Sequence, residues 1–224
     1  METFSIQIVS IVFLLLLLHP MNKKRNEIID KSALIFLRHG IKSVTMDDLA
    51  KELSMSKKTI YNYFKDKDDL IKSIVETLIN RNRVASEHGR LKSENAIDAL
   101  MNISEYSTRL FTEIHTSVFY DLQKYYPEAW NVLKQHRLEF VSNQFTENII
   151  RGQKEGIYIT DLDPKLMSSI HLAIVSVMTD GEIFEVEANE FGKLLEQIVL
   201  FQLRGLVNDK GRELMVKNMK NKEK

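Results

Sequence analysis

Residues 45–70 constrain the fold of this chain more than any other segment. Their sequence, TMDDLAKELSMSKKTIYNYFKDKDDL, predicts two short helices joined by a tight turn, followed at once by the start of a third helix. Thr45 is a good N-cap residue, and Asp47 and Asp48 stand in the first turn behind it. After the break at residues 54–56, Ser56 can cap the second helix, whose inward side chains are Ile60 and Phe64.

The outward face of the second short helix is basic, hydroxyl-rich and aromatic, with no acid before Asp66. It consists of Lys57, Lys58, Thr59, Tyr61, Asn62 and Tyr63. A helix-turn-helix places such a helix in a major groove about 12 Å wide. Phosphates accept hydrogen bonds from Lys, Ser, Thr and Tyr. The segment therefore predicts DNA binding, and the alternative is a solvated helix hairpin in an all-α protein.

This segment resembles the N-terminal signature of the TetR/AcrR family of transcriptional regulators. The resemblance covers roughly residues 23–78, and its most specific part is the pattern T-I-Y-x-Y-F-K-x-K-x-x-L that begins at Thr59. Further matching pieces are residues 28–36, His39, Gly40, residues 44–46, Leu49, Ala50, residues 56–64 and residues 65–70. One departure is Ser54, which stands at the turn where the family usually has glycine; a serine there costs little if the turn needs no positive φ.

The resemblance implies which residues contact DNA. It places Lys57, Thr59, Tyr61 and Tyr63 on the groove-facing side, and Thr45, Ser56, Tyr61 and Lys67 at phosphates. The full predicted DNA-binding set is Thr45, Ser56, Lys57, Lys58, Thr59, Tyr61, Asn62, Tyr63 and Lys67. The partner implied is a double-stranded, roughly palindromic operator, bound by a homodimer.

Composition adds only weak constraints on function. The 224 residues include no cysteine, which excludes disulfide, thiolate and zinc–cysteine chemistry and favours a cytoplasmic protein. The 31 basic and 31 acidic residues cancel, so the overall charge indicates no polyanionic partner. Residues 22–70 hold eleven Lys or Arg against eight Asp or Glu, an excess of three positive charges that weakly favours DNA.

Residues 4–18 form a fifteen-residue run that is apolar except at Ser5, Gln7 and Ser10. A bilayer-spanning helix needs about 20 residues, and the run lacks the basic start and the small-residue cleavage site of a signal peptide. Three interpretations follow: translation begins at Met21, the run is a membrane tether followed by the basic cluster at residues 23–25, or it is a secretory signal. We favour the first, because MNKKRNEII is a natural opening for a helix-turn-helix protein.

The chain divides into four predicted segments. Residues 1–21 are the apolar extension, and residues 22–85 are the DNA-binding domain, whose first helix spans residues 22–37 and ends at Gly40. A helix that begins near Lys67 continues from this domain as a lever, until the pattern lapses near residues 87–89. Residues 86–210 are a larger helical effector-binding and dimerisation domain, and residues 211–224 are a solvated basic tail.

Everything beyond Lys92 predicts helices, so the fold class is all-α: a three-helix DNA-binding domain with a helix-turn-helix and a larger C-terminal helical domain. The predicted helices of the larger domain span residues 94–114, 115–126, 128–154, 164–179 and 190–206. The last two carry more apolar surface than one neighbouring helix can cover. We therefore expect them to pair with their copies in a homodimer, as the resemblance also implies. The alternative is that both apolar stripes are buried within one chain.

The sequence contains no phosphate-binding glycine loop, metalloprotease motif or nucleophile elbow. Its six histidines are scattered, so neither an enzyme nor a metal or other cofactor is expected. The alternative is a metal site assembled from distant residues such as His115, His136 and His171. The family resemblance implies a pocket for an unknown small-molecule effector in the second domain. Candidate lining residues are Phe111, His115, Phe119, Tyr120, Tyr126, Trp130, Phe140 and His171. The alternative for each is plain core packing.

The resulting hypothesis is a dimeric, ligand-responsive transcriptional regulator, most often a repressor in this family. The competing class is a helical ligand-binding or protein-interaction module that no longer binds DNA.

Overall fold

A computed structural model of the chain describes residues 20–111, 114–115, 117–180 and 190–222. The apolar run at residues 4–18 lies outside the described residues. In the described ranges no strand forms beyond an isolated antiparallel bridge between Tyr158 and Val207, and no helix there combines the length and the apolar character needed to span a bilayer. The helices are α1 (Pro20–His39), α2 (Met46–Glu52), α3 (Lys57–Tyr61), α4 (Lys67–Lys92), α5 (Ala96–Phe111), α6 (Ser117–Tyr125), α7 (Pro127–His136), a π-helical turn (Arg137–Val141), α8 (Ser142–Lys154), α9 (Pro164–Asp180), α10 (Phe191–Leu206) and α11 (Asp209–Lys222).

The N-terminal domain is held together by apolar side chains from α1 to α4. The most deeply buried are Ile28, Ile29, Leu49, Ile60, Phe64 and Leu70. All but Phe64, which follows α3, lie on the inward stripe of a helix. Burial of these few large side chains fixes the short α2 and α3, which could not form alone. The predicted helix boundaries are present. Gly40 has φ +82° after α1, and Thr45 caps the start of α2 with a reciprocal bond to Asp48.

The turn between α2 and α3 requires a left-handed residue, and that residue is Ser54, with φ +52°. The Ser54 N–H donates to the Lys51 carbonyl and the Met55 N–H to the Ala50 carbonyl, at 3.1 and 2.9 Å. This pair of bonds is a Schellman motif, which satisfies the last carbonyls of α2. The condition under which serine would cost little, a turn without positive φ, is therefore not met.

Helix α4 runs without interruption across the predicted domain boundary near residue 85. The expected lapse at residues 87–89 does not occur, since the helix ends only at Lys92. Gly89 lies within it at ordinary contact distance from Ile103 of α5. Both domains consequently share one continuous helix.

The larger domain packs α5 between α4, α8 and α10, with α9 lying against α8 and α7 against α4. The single long helix predicted for residues 128–154 is instead two α-helices joined by the π-helical turn at Arg137–Val141. A π-helical turn accommodates one surplus residue in a helix and is frequent at functional sites. Phe140 and Val141 of this turn line a cavity of the larger domain.

The C-terminal residues form a helix, not the solvated tail that was predicted. Helix α11 buries Met215 and packs on α5. Beneath it, Tyr158 is fully buried and donates its hydroxyl to the Asn148 side chain at 3.1 Å. The connector around Tyr158 thus ties α8 to the end of α10.

Candidate nucleic-acid interface

Helix α3 presents most of the predicted DNA contacts to solvent. Ser56, Lys57, Lys58, Tyr61 and Asn62 are exposed, and Tyr61 retains 44% of its surface. In contrast, Thr59 and Tyr63 are half-buried, and Tyr63 packs against the core. The inward residues are those that were predicted: Ile60 in α3 and Phe64 just after it. One face of α3 is therefore cationic and accessible, while the opposite face anchors it.

The N-terminus of α3 is better suited to an anion than that of α2. The Ser56 hydroxyl accepts from the Thr59 N–H at 3.0 Å, and no acid stands in the first turn of α3. At α2, the Asp48 carboxylate accepts from both the backbone N–H and the hydroxyl of Thr45, at 2.8 and 2.6 Å. These bonds hold the pKa of Asp48 below its usual range. A phosphate at Thr45 would meet that carboxylate, which repels it.

Lys57 is paired within the domain. Its ammonium lies 2.8 Å from an Asp47 carboxylate oxygen, and this hydrogen bond raises the pKa of Lys57. Both side chains are exposed, so the pair contributes little to stability and can be exchanged for a phosphate contact.

The predicted phosphate contact at Lys67 is contradicted by the geometry of its side chain. The ammonium is turned inward and donates to the carbonyls of Ile41 and Val44, each at 2.6 Å. It also lies 5.4 Å from the ring of Phe36 and 5.7 Å from that of Tyr126. Burial lowers the pKa of Lys67, although the nearby Asp121 opposes this shift. Lys67 instead holds the turn between α1 and α2 in place.

The same turn is bound from the other side by Asp121 of α6. One oxygen of this buried carboxylate accepts from the backbone N–H groups of Ile41 and Lys42, at 3.0 and 2.9 Å. The Lys42 ammonium donates to the Tyr125 hydroxyl at 2.7 Å. We call this set of contacts between the turn at residues 40–42 and α6 the domain joint.

Gly40 and His115 complete the domain joint. The His115 N–H donates to the Leu37 carbonyl at 2.6 Å, which brings the segment before α6 against the end of α1. A Cβ at Gly40 would lie 2.7 Å from the Ser117 hydroxyl oxygen, and its φ is positive as well. Only glycine fits the approach of the two segments without displacement.

The described cavity of the larger domain, of about 120 Å³, lies among α4, α5, the π-helical turn, α8, α9 and α10. Of the predicted effector-pocket residues, Phe140 and His171 line it. Phe111 and Phe119 stack at 5.9 Å elsewhere in the core. The remaining predicted residues are also not among its lining residues: His115 and Tyr126 lie by the domain joint, Trp130 lies against Arg137, and Tyr120 is half exposed.

The cavity also uses residues that the sequence prediction omitted. Ser104 and Ser107 of α5 and Gln144 of α8 are polar lining residues. The two serines continue the apolar stripe of Ile97 and Leu100 at helical spacing, which is a signal that could have identified them. Asp121 had no such signal, because its partners lie about 80 residues away. Among the residues that the structure describes, no cluster of His, Asp and Glu could hold a metal ion.

Comparison with known proteins adds three findings. Residues 28–74 match the family model described as bacterial regulatory proteins, tetR family. The HTH-type transcriptional regulator YvaF of Bacillus subtilis is 24% identical over 170 residues, which cover 75% of this chain and 87% of that protein. The HTH-type transcriptional repressor KstR2 of Mycobacterium tuberculosis is 22% identical over 157 residues, covering 65% of this chain and 74% of its own.

Solved structures share the fold at low sequence identity. A TetR-family transcriptional regulator from Agrobacterium tumefaciens superposes with a TM-score of 0.65 and 14% identity, covering 84% of this chain and all of its own. The matching region extends well beyond residues 28–74, so that the larger helical domain is shared as well as the helix-turn-helix.

Proposed function

From the premise that the chain belongs to the TetR family of transcriptional regulators, we propose that it is a ligand-responsive repressor that binds a roughly palindromic operator as a homodimer. The observation that carries the proposal is the exposed face of α3, which begins without acids at Lys57 and Lys58 and ends at Tyr61 and Asn62. The proposed DNA contacts are Ser56, Lys57, Lys58, Thr59, Tyr61, Asn62 and Tyr63, with Thr45 at the edge. The cytoplasm is the proposed place of action.

The homodimer is proposed to form through α9 and α10. In the single chain, Leu166 and Ile170 of α9 keep 57% and 42% of their surface exposed, and Phe201 of α10 keeps 73%. Exposed apolar side chains on adjacent helices favour pairing with a second copy across a two-fold axis. Such a dimer would present two copies of α3 to successive major grooves.

The signal between the two domains is proposed to pass through α4 and the domain joint. Asn82 and Ser86 of α4 line the cavity, and the same helix begins at Lys67, which holds the turn at residues 41–44. A ligand that prefers one tilt of α4 shifts the separation of the two α3 helices by as much as its affinities for the two states differ. The division of the chain into two domains near residue 85, within α4, remains part of this proposal.

The test is titration of the full chain against a duplex from its own upstream region and a random duplex, at two salt concentrations. Tyr61→Ala is expected to weaken binding to both duplexes about threefold to tenfold, because a phosphate contact carries little sequence information. Tyr120→Ala is the matched control, since Tyr120 is similarly exposed, at 50%, but lies in the larger domain. Failure of the wild-type chain to bind either duplex would support the non-DNA-binding alternative.

A further inference from the structure

The cavity in the larger domain has no charged side chain among its lining residues. His171 is also uncharged near neutral pH, because burial lowers its pKa, and His136 behind the Phe140 ring has its pKa lowered to about 4 by the same cause. A ligand that carries a net charge would lose its hydration here without gaining a counter-charge, which is strongly unfavourable. The lining therefore favours an uncharged molecule.

The walls of the cavity favour one flat ring. Phe145 stacks on His171 with ring centroids 4.3 Å apart and planes 5° from parallel, which forms one aromatic wall. Leu100, Ile103, Leu195 and Val199 add aliphatic walls. The volume, about 120 Å³, lies between that of a single water and the roughly 150 Å³ of an apolar cavity that holds benzene in another protein. A single six-membered ring is the size that fits.

One ring nitrogen of this wall has no hydrogen-bond partner in the described part of the chain. Nδ1 of His171 lies 2.8 Å from the side-chain oxygen of Gln202, an acceptor, so this contact places the imidazole proton on Nδ1. Nε2 then carries a lone pair and is left free to accept a hydrogen bond at the cavity that His171 lines. A water or a ligand in the cavity can donate a hydrogen bond to such an acceptor.

We propose that this cavity is the effector site and that its ligand is an uncharged, single-ring molecule with one hydroxyl or N–H group, which donates to Nε2 of His171. The ring lies against the Phe145–His171 wall. The hydroxyls of Ser104 and Ser107, which make no hydrogen bond within the described residues, accommodate a second polar substituent. This inference rests on the proposed function only in calling the ligand an effector, since binding of the ligand does not require DNA.

The experiment is calorimetric titration of the full chain at pH 7.5 with phenol, benzene and benzoate. Phenol is expected to bind saturably at one site per chain. Benzene, which has the ring but no donor, is expected to bind about threefold to tenfold more weakly, the range that one net hydrogen bond gives. Benzoate is expected to bind at least about 100-fold more weakly than phenol, because its charge is not compensated.

His171→Phe keeps the stacked ring and removes the acceptor, so it is expected to reduce the affinity for phenol to that for benzene and leave benzene unchanged. His88→Phe is the control, because His88 is exposed on α4 away from the cavity. Ser104→Leu fills the cavity and is expected to abolish binding of both ligands, with Ser107→Leu in its place if the thermal melt shows that the first variant is unfolded. Equal binding of benzoate and phenol, or an unchanged phenol-to-benzene ratio in His171→Phe, would overturn the proposal.

The role as effector has a separate readout. Saturating phenol is expected to weaken binding to the upstream duplex at least about fivefold, the lower end of typical coupling between sites. Intact DNA binding without any phenol binding overturns the proposed ligand class and leaves the regulator function standing. Phenol binding with no change in DNA affinity overturns the effector role alone.

Discussion

At the scale of single residues, Ser54 adopts a backbone conformation that is unfavourable for a residue other than glycine. A left-handed conformation costs a non-glycine residue about 1–2 kcal/mol, and the Schellman bonds of the turn hold Ser54 there at φ +52°. The turn sets the angle between α2 and α3 and so allows Leu53 and Ile60, on either side of it, to be buried. The free energy of this burial compensates for the cost of the left-handed conformation.

Ser54→Gly is expected to stabilise the protein by about 0.5–1 kcal/mol, because relief of the left-handed strain exceeds the added flexibility of the unfolded chain. The melting temperature should rise by about 1–4 °C, measured by circular dichroism. Ser56→Gly, two residues away, is the control, and loss of its N-cap hydroxyl should lower stability by a few tenths of a kcal/mol. Equal signs for the two variants would contradict the account of the turn.

Asp47 is the acid that neutralises the cationic face of α3 before DNA arrives. Asp47→Asn is expected to increase affinity for any duplex about twofold to tenfold at low salt and to steepen the salt dependence by up to about one unit of slope, because the Lys57 ammonium is released to phosphate. Anisotropy titrations at several salt concentrations measure both. Glu52→Gln is the control on the same helix; if it gives the same gain, the effect is one of net charge and not of the pair.

At the scale of helices and turns, Gly152 of α8 lies so close to a neighbouring side chain that only glycine fits at this position. A Cβ there would overlap the ring of Tyr158, which is fully buried beneath it. Gly152→Ala is therefore expected to destabilise the protein by about 2–3 kcal/mol, the cost of overpacking a core, as measured by urea unfolding. Gly89→Ala, in α4 with its nearest neighbour at 3.9 Å, should instead stabilise by up to about 1 kcal/mol. A stable Gly152→Ala variant would show that the connector is not held by Tyr158.

Two carboxylates join the larger domain to the first one, and their contributions to the free energy of unfolding are expected to differ. Asp121→Ala leaves the buried N–H groups of Ile41 and Lys42 without an acceptor and is expected to cost about 3 kcal/mol. Glu128→Ala removes only an exposed contact, 3.0 Å from Lys72, and should change stability immeasurably. Urea unfolding compares them, and similar losses would refute the importance of the domain joint.

Local elements could be predicted from the sequence because their causes are local. Thr45, Ser56 and Gly40 end or begin helices through bonds to residues within four positions, and these assignments agree with the structure. Lys67 and Asp121 could not be placed, because their partners lie 23 to 80 residues away and both are ordinary surface residue types. The π-helical turn also escaped prediction, since an apolar stripe tolerates one extra residue without a visible break.

At the scale of the whole molecule, the exposed apolar residues of α9 and α10 predict a dimer. Phe201→Glu is expected to raise the dimer dissociation constant on the order of 100-fold or more, because a buried aromatic anchor is lost twice in a symmetric interface. Affinity for the operator should fall with it. Leu91→Glu is the control, since Leu91 is similarly exposed, at 75% against 73% for Phe201, but lies at the end of α4. Sedimentation velocity measures the change, and a dimer that persists in Phe201→Glu would refute this interface.

The domain joint has a consequence for how such a chain can change. Asp121 binds main-chain atoms of residues 41 and 42, so these two hydrogen bonds do not require particular side chains, although Ile41 is buried in the core and Lys42 bonds Tyr125. The exposed residues of α3, Lys57, Lys58 and Tyr61, take no part in these bonds, so substitutions there leave the attachment in place. Operator preference can therefore diverge at α3 without loss of the bonds between α6 and the turn at residues 40–42.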